Sequence, residues 1–61
     1  MENEGYVLAR RYIGSSEYTM FDVFYGDGAY SRADEERLKQ QPNDKDHLYE
    51  IFSIEEWNAK K

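Results

Sequence analysis

One stretch, residues 18–25, limits the possible folds most strongly because it has the pattern of a strand with two apolar faces. Side chains alternate between the faces of a sheet, so Phe21, Val23 and Tyr25 share one side of this strand. The other side takes the remaining apolar residues, Tyr18, Met20 and Phe24. One face can bury a core. The second needs a cover, which so short a chain has to find in a helix or in a partner.

The length of 61 residues allows one small domain, residues 1–61, in which we expect residues 1–5 to be frayed. A chain of this size buries roughly 60% of the surface that its unfolded form exposes. It contains no cysteine, which excludes disulfides and argues against an oxidising compartment. No apolar run has the length of a membrane span or a signal-peptide core, so we expect a cytoplasmic protein.

Two strands, at residues 6–13 and 17–25, and a Gly-Ser-Ser turn between them predict an antiparallel pair. A turn of even length is preferred, and it places Leu8 beside Val23. A turn of odd length exchanges the faces, because a slip of one residue inverts a strand. With the even turn, one sheet face carries the predicted partner-binding residues Val7, Arg11, Ile13, Tyr18, Met20 and Phe24.

The first helix is predicted to begin at Ser31, because Ser31 and Asp34 have the spacing of a capping box. Carboxylates at residues 34–36 would then lie at the positive end of the helix dipole. Pro42 disfavours helical geometry in the residue before it, so this helix should end near residue 40 or 41. Its apolar content is thin, and it therefore covers little of a sheet.

A third strand is predicted at residues 47–52, followed by the clearest helix signal in the chain. Ser53 and Glu56 form a capping box, and Phe52 and Trp57 occupy the two positions of a hydrophobic staple. The expected fold class is α+β, with a small antiparallel three-stranded sheet in the order 2-1-3 and elements in the order β-β-α-β-α. One helix packs on the sheet and a short helix ends the chain.

No motif predicts catalysis, a cofactor or a metal. The glycines of Gly26-Asp27-Gly28 lack the third glycine of a dinucleotide loop and are expected in a turn. Asp44, Asp46 and His47 do not have the spacing of a calcium loop. A single histidine serves at most one base role, and paired carboxylates at helix starts need no catalytic explanation. We therefore expect a protein that is not an enzyme.

Charge argues against direct binding of nucleic acid. Thirteen acidic residues outnumber eight lysines and arginines, which gives a net charge of −5, and the basic residues are not clustered. Arg11 is more simply explained as a cross-strand partner of Asp22. The acidity itself serves solubility or favours a basic partner.

These observations predict a non-enzymatic acidic module that binds a protein, as an inhibitor or an accessory subunit. One alternative is a structural protein that forms a homodimer through the second sheet face or a free edge. Another is a nucleic-acid mimic that blocks a basic groove. No residue-level motif links the chain to a family. Its small size, acidity and lack of catalytic residues have the character of small phage-encoded proteins that bind host machinery, which is an analogy and no sequence match.

Overall fold

The computed structural model describes residues 5–60 and has the predicted α+β architecture. Three antiparallel strands form one sheet in the order β2-β1-β3, as the sequence predicts. Gly5, which was expected to be frayed, is the first residue of the central strand. The elements are β1 (Gly5–Tyr12), β2 (Thr19–Tyr25), α1 (Ala29–Gln40), a 3₁₀ turn (Gln41–Asn43), β3 (His47–Ser53) and α2 (Ile54–Ala59).

The pairing of β1 with β2 changes register part-way along the strands. Near the turn Ala9 lies opposite Met20, so the two share a face as the even turn predicts, although the predicted register would place Ala9 opposite Asp22. The register shifts between Leu8 and Ala9, where Phe21 is the extra residue of a β-bulge, and beyond it Val7 lies opposite Val23. The predicted pairing of Leu8 with Val23 is therefore wrong, because a bulge inserts one residue and reverses the faces beyond it.

Helix α1 covers the sheet face formed by Tyr6 and Leu8. Tyr30 of the helix packs edge-to-face on Tyr6, with ring centroids 5.2 Å apart. Ala29 and Ala33, four residues apart on the same side of the helix, are both buried, and Leu8 is completely buried. Small side chains at these two positions allow the helix backbone to come close to the sheet, so α1 covers Leu8 with little apolar surface of its own.

Helix α1 begins earlier than predicted, and the expected capping box at Ser31 is wrong. Its N-cap is Gly28, in the left-handed conformation with φ of 75°, and no side chain caps the helix. The guanidinium group of Arg32 donates to the carbonyl oxygens of Tyr25 and Asp27, which anchors the first turn to the end of β2. No acidic residue lies in that turn, so the predicted dipole contact of residues 34–36 is also absent from α1. The predicted end of the helix before Pro42 is confirmed.

Helix α2 covers one end of the opposite sheet face. Its capping box is confirmed: the amide of Glu56 donates to Ser53 Oγ, and the amide of Ser53 donates to Glu56 Oε1, both at 3.0 Å. The staple is confirmed too, with the rings of Phe52 and Trp57 centred 6.0 Å apart. Ile54 and Trp57 pack on the core cluster of Val7, Ala9 and Phe52.

A side chain covers part of the open edge of β3. Gln41 behaves toward β3 as a neighbouring strand would: its Nε2 donates to the His47 carbonyl at 2.8 Å, and its Oε1 accepts from the Tyr49 amide at 2.9 Å. The capping box occupies the amide of Ser53 at the other end of the strand. These bonds use backbone groups that an added strand would need.

The open edge of β2 is obstructed in the same way. The carboxylate of Asp22 accepts from the amide of Val23 at 2.8 Å, and Arg32 occupies the carbonyl of Tyr25. Backbone groups of alternate residues point to the same side of a strand, so both bonds occupy the outer edge. Neither edge of the sheet offers a continuous row of free backbone groups.

We expect Ala33→Leu to lower the free energy of unfolding by about 1–3 kcal/mol, because the larger side chain would push α1 away from the buried Leu8. Ser31→Leu adds the same side chain at an exposed position of the same helix and is the matched control. Urea denaturation of both variants measures the difference. Equal midpoints for the two variants would contradict the close packing of α1 on the sheet.

Candidate functional site

The sheet face that carries α2 is only partly covered. The six-residue helix lies over Val7 and Phe52 and leaves the end of the face near the β1–β2 turn open. Ile13, Met20 and Leu48 expose 62%, 47% and 39% of their surface there. We call this region the turn-end surface, and it consists of Arg11, Ile13, Tyr18, Met20 and Leu48.

The structure brings together four of the six predicted partner-binding residues and separates two. Arg11, Ile13, Tyr18 and Met20 belong to the turn-end surface. Val7 is only 2% exposed, because it is part of the core beneath α2, so it offers no surface to a partner. Phe24 lies on the other face of the sheet, opposite Tyr6, since the bulge reverses the alternation.

Tyr18 crosses the central strand and gives the turn-end surface a fixed centre. Its hydroxyl donates to Glu50 Oε1 at 2.5 Å and accepts from Arg11 Nε at 3.2 Å. Its ring packs edge-to-face on Phe52, with centroids 5.1 Å apart, and lies against the buried Ala9. The small Ala9 side chain provides the space for this ring. Tyr18 is therefore both a surface residue and a cover for the core.

Arg11 supports the same arrangement. Its Nη1 donates to the carbonyl of Ser15 at 2.9 Å, and its guanidinium carbon lies 5.7 Å from the centre of the Tyr18 ring. The predicted pairing of Arg11 with Asp22 is wrong. The carboxylate of Asp22 instead accepts a hydrogen bond from a backbone amide of its own strand. Arg11 instead ties the β1–β2 turn to Tyr18.

Leu48 is the residue of this surface that sequence reasoning missed. It lies opposite Arg11 in the β1–β3 ladder. The third strand was predicted, but its register against β1 was not, and the register alone decides which face Leu48 joins. The hydrogen bond from the Ile13 amide to the Asp46 carbonyl, at 3.0 Å, continues this ladder and brings Ile13 diagonally next to Leu48.

A second group of side chains lies on the other sheet face, beyond the end of α1. Asp44 accepts from the Tyr49 hydroxyl at 2.8 Å and contacts His47 Nδ1 at 2.9 Å, and Arg10 Nη1 lies 3.6 Å from the same oxygen. We call these four residues the loop cluster. The ring of Phe21, the bulge residue, packs on Tyr49 and lies under the guanidinium of Arg10. The cluster joins the loop after α1 to β1 and β3, and its contacts with Phe21 extend to β2.

The contacts of the loop cluster change two pKa values. The hydrogen bond with His47, assisted by those from Tyr49 and the Asp46 amide, lowers the pKa of Asp44 from 3.8 to about 2. Burial raises the pKa of Tyr49. Since the pKa of Asp44 is lowered by folding, its contribution to stability is complete above about pH 5 and is lost as the pH falls towards 2.

The loop cluster includes two of the three residues considered as metal ligands. His47 and Asp44 contact each other, whereas the amide of Asp46 donates to Asp44 Oδ1 at 3.1 Å. Within residues 5–60, no group of three or more His, Asp or Glu side chains is arranged to hold a metal ion. No helix in the same part of the chain is long and apolar enough to cross a membrane.

Comparisons with known proteins give no relative: no family model, no curated protein and no solved structure matches this chain.

We expect Asp44→Asn to lower the melting temperature at neutral pH, because the amide cannot reproduce the charged contacts with His47 and Arg10. The difference from the wild type should narrow as the pH falls from about 5 to 2, where the wild-type carboxylate also becomes neutral. Thermal melts over this pH range measure it, with Asp46→Asn, an exposed neighbour in the same loop, as control. A difference that stays constant with pH would contradict the lowered pKa.

Proposed function

We propose that this chain is a non-enzymatic, acidic protein-binding module that works by occupying a surface of a larger protein, as an inhibitor or an accessory subunit. The observation that carries the proposal is the partly covered sheet face. A six-residue helix leaves Ile13 and Leu48 exposed diagonally across β1 and β3, and it leaves Met20 exposed on β2, two residues from the ordered Tyr18. Apolar surface of this kind on a small protein often marks a binding site.

The composition of the turn-end surface supports a protein partner. Methionine, arginine and aromatic side chains are enriched at protein interfaces, and Met20, Arg11 and Tyr18 supply all three. Arg11 and Tyr18 are already held by hydrogen bonds, so binding would cost little further side-chain ordering there. The net charge of −5 favours a partner with a basic rim around an apolar centre. A cytoplasmic location belongs to the proposal, because small secreted domains usually contain disulfides.

Self-association is the runner-up, and the sheet edges bear on it. Gln41 on β3, and Asp22 with Arg32 on β2, occupy backbone groups at the outer edges. A homodimer formed by joining two sheets edge to edge would have to break these bonds. A homodimer would more readily use the turn-end surface itself, so the same substitutions test both hypotheses.

We expect the double variant Ile13→Ser with Met20→Ser to weaken binding by more than about tenfold, because it removes exposed apolar anchors. The melting temperature should change by only a few degrees, since both side chains are exposed. Leu38→Ser removes an exposed apolar side chain from α1, on the other sheet face, and is the control.

Quantitative affinity capture with the three baits in one lysate measures the effect, and sedimentation of the purified proteins measures self-association. The proposal requires a protein that the wild type and the control retain and that the double variant loses. Concentration-dependent dimers that disappear in the double variant would favour the homodimer. Equal capture by all three baits would contradict a role for the turn-end surface.

The nucleic-acid mimic makes a different prediction for α1. Asp34 is paired with Arg37 at 2.7 Å, and Glu36 Oε2 accepts from Gln40 at 2.8 Å, so these carboxylates have partners within the helix. We expect the triple variant Asp34→Asn, Glu35→Gln and Glu36→Gln to change binding by less than about threefold and to lower stability slightly, as loss of surface pairs does. The mimic would be favoured if the triple variant bound tenfold more weakly with an unchanged melt, and if binding by the wild type weakened as the salt concentration rose.

A further inference from the structure

The ammonium group of Lys60 lies in a corner formed by two aromatic rings. Its Nζ is 4.6 Å from the centre of the Phe52 ring and 5.6 Å from that of Tyr18. These rings stand at 83° to each other with centroids 5.1 Å apart, so they form two perpendicular walls. Within residues 5–60, no carboxylate lies within 4.0 Å of Lys60 Nζ, so the close contacts of this cation are with aromatic rings.

Trp57 extends the corner into a groove. Its ring is tilted by 38° to that of Phe52, with centroids 6.0 Å apart. The groove between α2 and the β1–β2 turn has a volume of about 460 Å³ and is lined by Ser16, Glu17, Tyr18, Trp57 and Lys60. The indole N–H of Trp57 has no hydrogen-bond partner in the part of the chain that the structure describes, so packing alone holds this wall.

Aromatic walls around a cation that has no carboxylate of residues 5–60 within 4.0 Å suit an alkylated ammonium group. The attraction of a cation to a ring persists when the nitrogen carries methyl groups, whereas the hydration that competes with it becomes weaker. Aromatic cages that recognise methylated lysine or choline use this chemistry. A carboxylate partner, by contrast, would favour a primary ammonium group that can donate hydrogen bonds.

We propose that the groove lined by Tyr18 and Trp57, with the ring of Phe52 beneath Lys60, binds a methylated lysine side chain of a protein partner, and that Lys60 is the intramolecular occupant which this side chain displaces. Lys60 lies directly after the last residue of α2, and its ammonium covers a Phe52 ring that is only 8% exposed. Its departure opens the ring to a ligand. Glu17 in the groove lining and the net charge of −5 favour the basic segments in which lysine side chains occur.

The site is separate from the turn-end surface except for Tyr18, which belongs to both. The groove uses the side of this ring that faces α2 and Lys60, whereas the turn-end surface uses Ile13, Met20 and Leu48. Failure of one proposal therefore leaves the other standing, because their test substitutions do not overlap.

The direct test is a titration of the whole chain with N-acetyl-trimethyllysine methylamide. The fluorescence of Trp57, the only tryptophan, reports binding. The matched ligand carries a neutral tert-butyl group in place of the trimethylammonium group and has the same size. We expect the charged ligand to bind roughly 3- to 30-fold more tightly than the neutral one, which is the range of a cation–π contact. Equal affinities for the two ligands, or no saturable change, would overturn the proposal.

The role of Lys60 is tested by Lys60→Met, which keeps an unbranched apolar side chain and removes the ammonium group. We expect this variant to bind trimethyllysine several-fold more tightly, within the same range of roughly 3- to 30-fold, because the competing cation is absent. Lys45→Met removes an exposed lysine from a distant loop and should leave the affinity unchanged. Equal affinities of Lys60→Met and the wild type would overturn displacement of Lys60.

Two further measurements distinguish loss of the Tyr18 ring from loss of the fold, and a protein ligand from a lipid headgroup. Tyr18→Phe keeps the aromatic wall and loses the hydroxyl bonds to Arg11 and Glu50, so it should retain binding. Tyr18→Leu removes the wall, and a melt of each variant shows whether it is folded. Choline, offered in the same titration, represents a lipid headgroup. Tighter binding of choline than of trimethyllysine would overturn the assignment of a protein ligand.

Discussion

The bulge at Phe21 determines which apolar residues of β2 meet which helix. Met20 and Val23 are three positions apart, so strict alternation would put them on opposite faces of the sheet. Because the bulge lies between them, Met20 pairs with Ala9 and Val23 with Val7, and both face the α2 side. Phe21 itself packs within the loop cluster on the α1 side. The one extra residue therefore places Val23 in the core, Phe21 against the loop cluster and Met20 in the turn-end surface.

The two sheet faces are covered by unequal means, and the exposed surface follows from this inequality. Helix α1 has twelve residues and approaches the sheet closely through Ala29 and Ala33. Helix α2 has six residues, which suffice for Val7 and Phe52 but not for the end of the face near the turn. Tyr18 fills part of that gap by lying over Ala9. What Tyr18 does not reach stays exposed, so the turn-end surface is a consequence of the short length of α2.

Sequence reasoning succeeded where neighbouring residues decide the structure. The capping box of Ser53 and Glu56, and the helix end before Pro42, depend on contacts within a few residues. It failed where distant contacts decide, because Arg32 anchors the start of α1 to the end of β2 and overrides the capping signal at Ser31. The bulge carries no glycine or proline to announce it. Consequently Phe24 was assigned to the wrong face. Val7 was assigned to the correct face but was taken for surface, because the part of that face that α2 covers was not predicted.

The obstructed edges leave side chains as the main means of recognition open to this fold. A protein that binds by adding a strand draws its affinity from backbone groups, and the bonds made by Gln41 and Arg32 occupy such groups on both edges. Recognition through side chains needs positions that are already ordered. Tyr18 provides one, because bonds to Arg11 and Glu50 hold its hydroxyl while Phe52 holds its ring. The residue that completes the core over Ala9 is thus also the one best placed to organise both surfaces beside it.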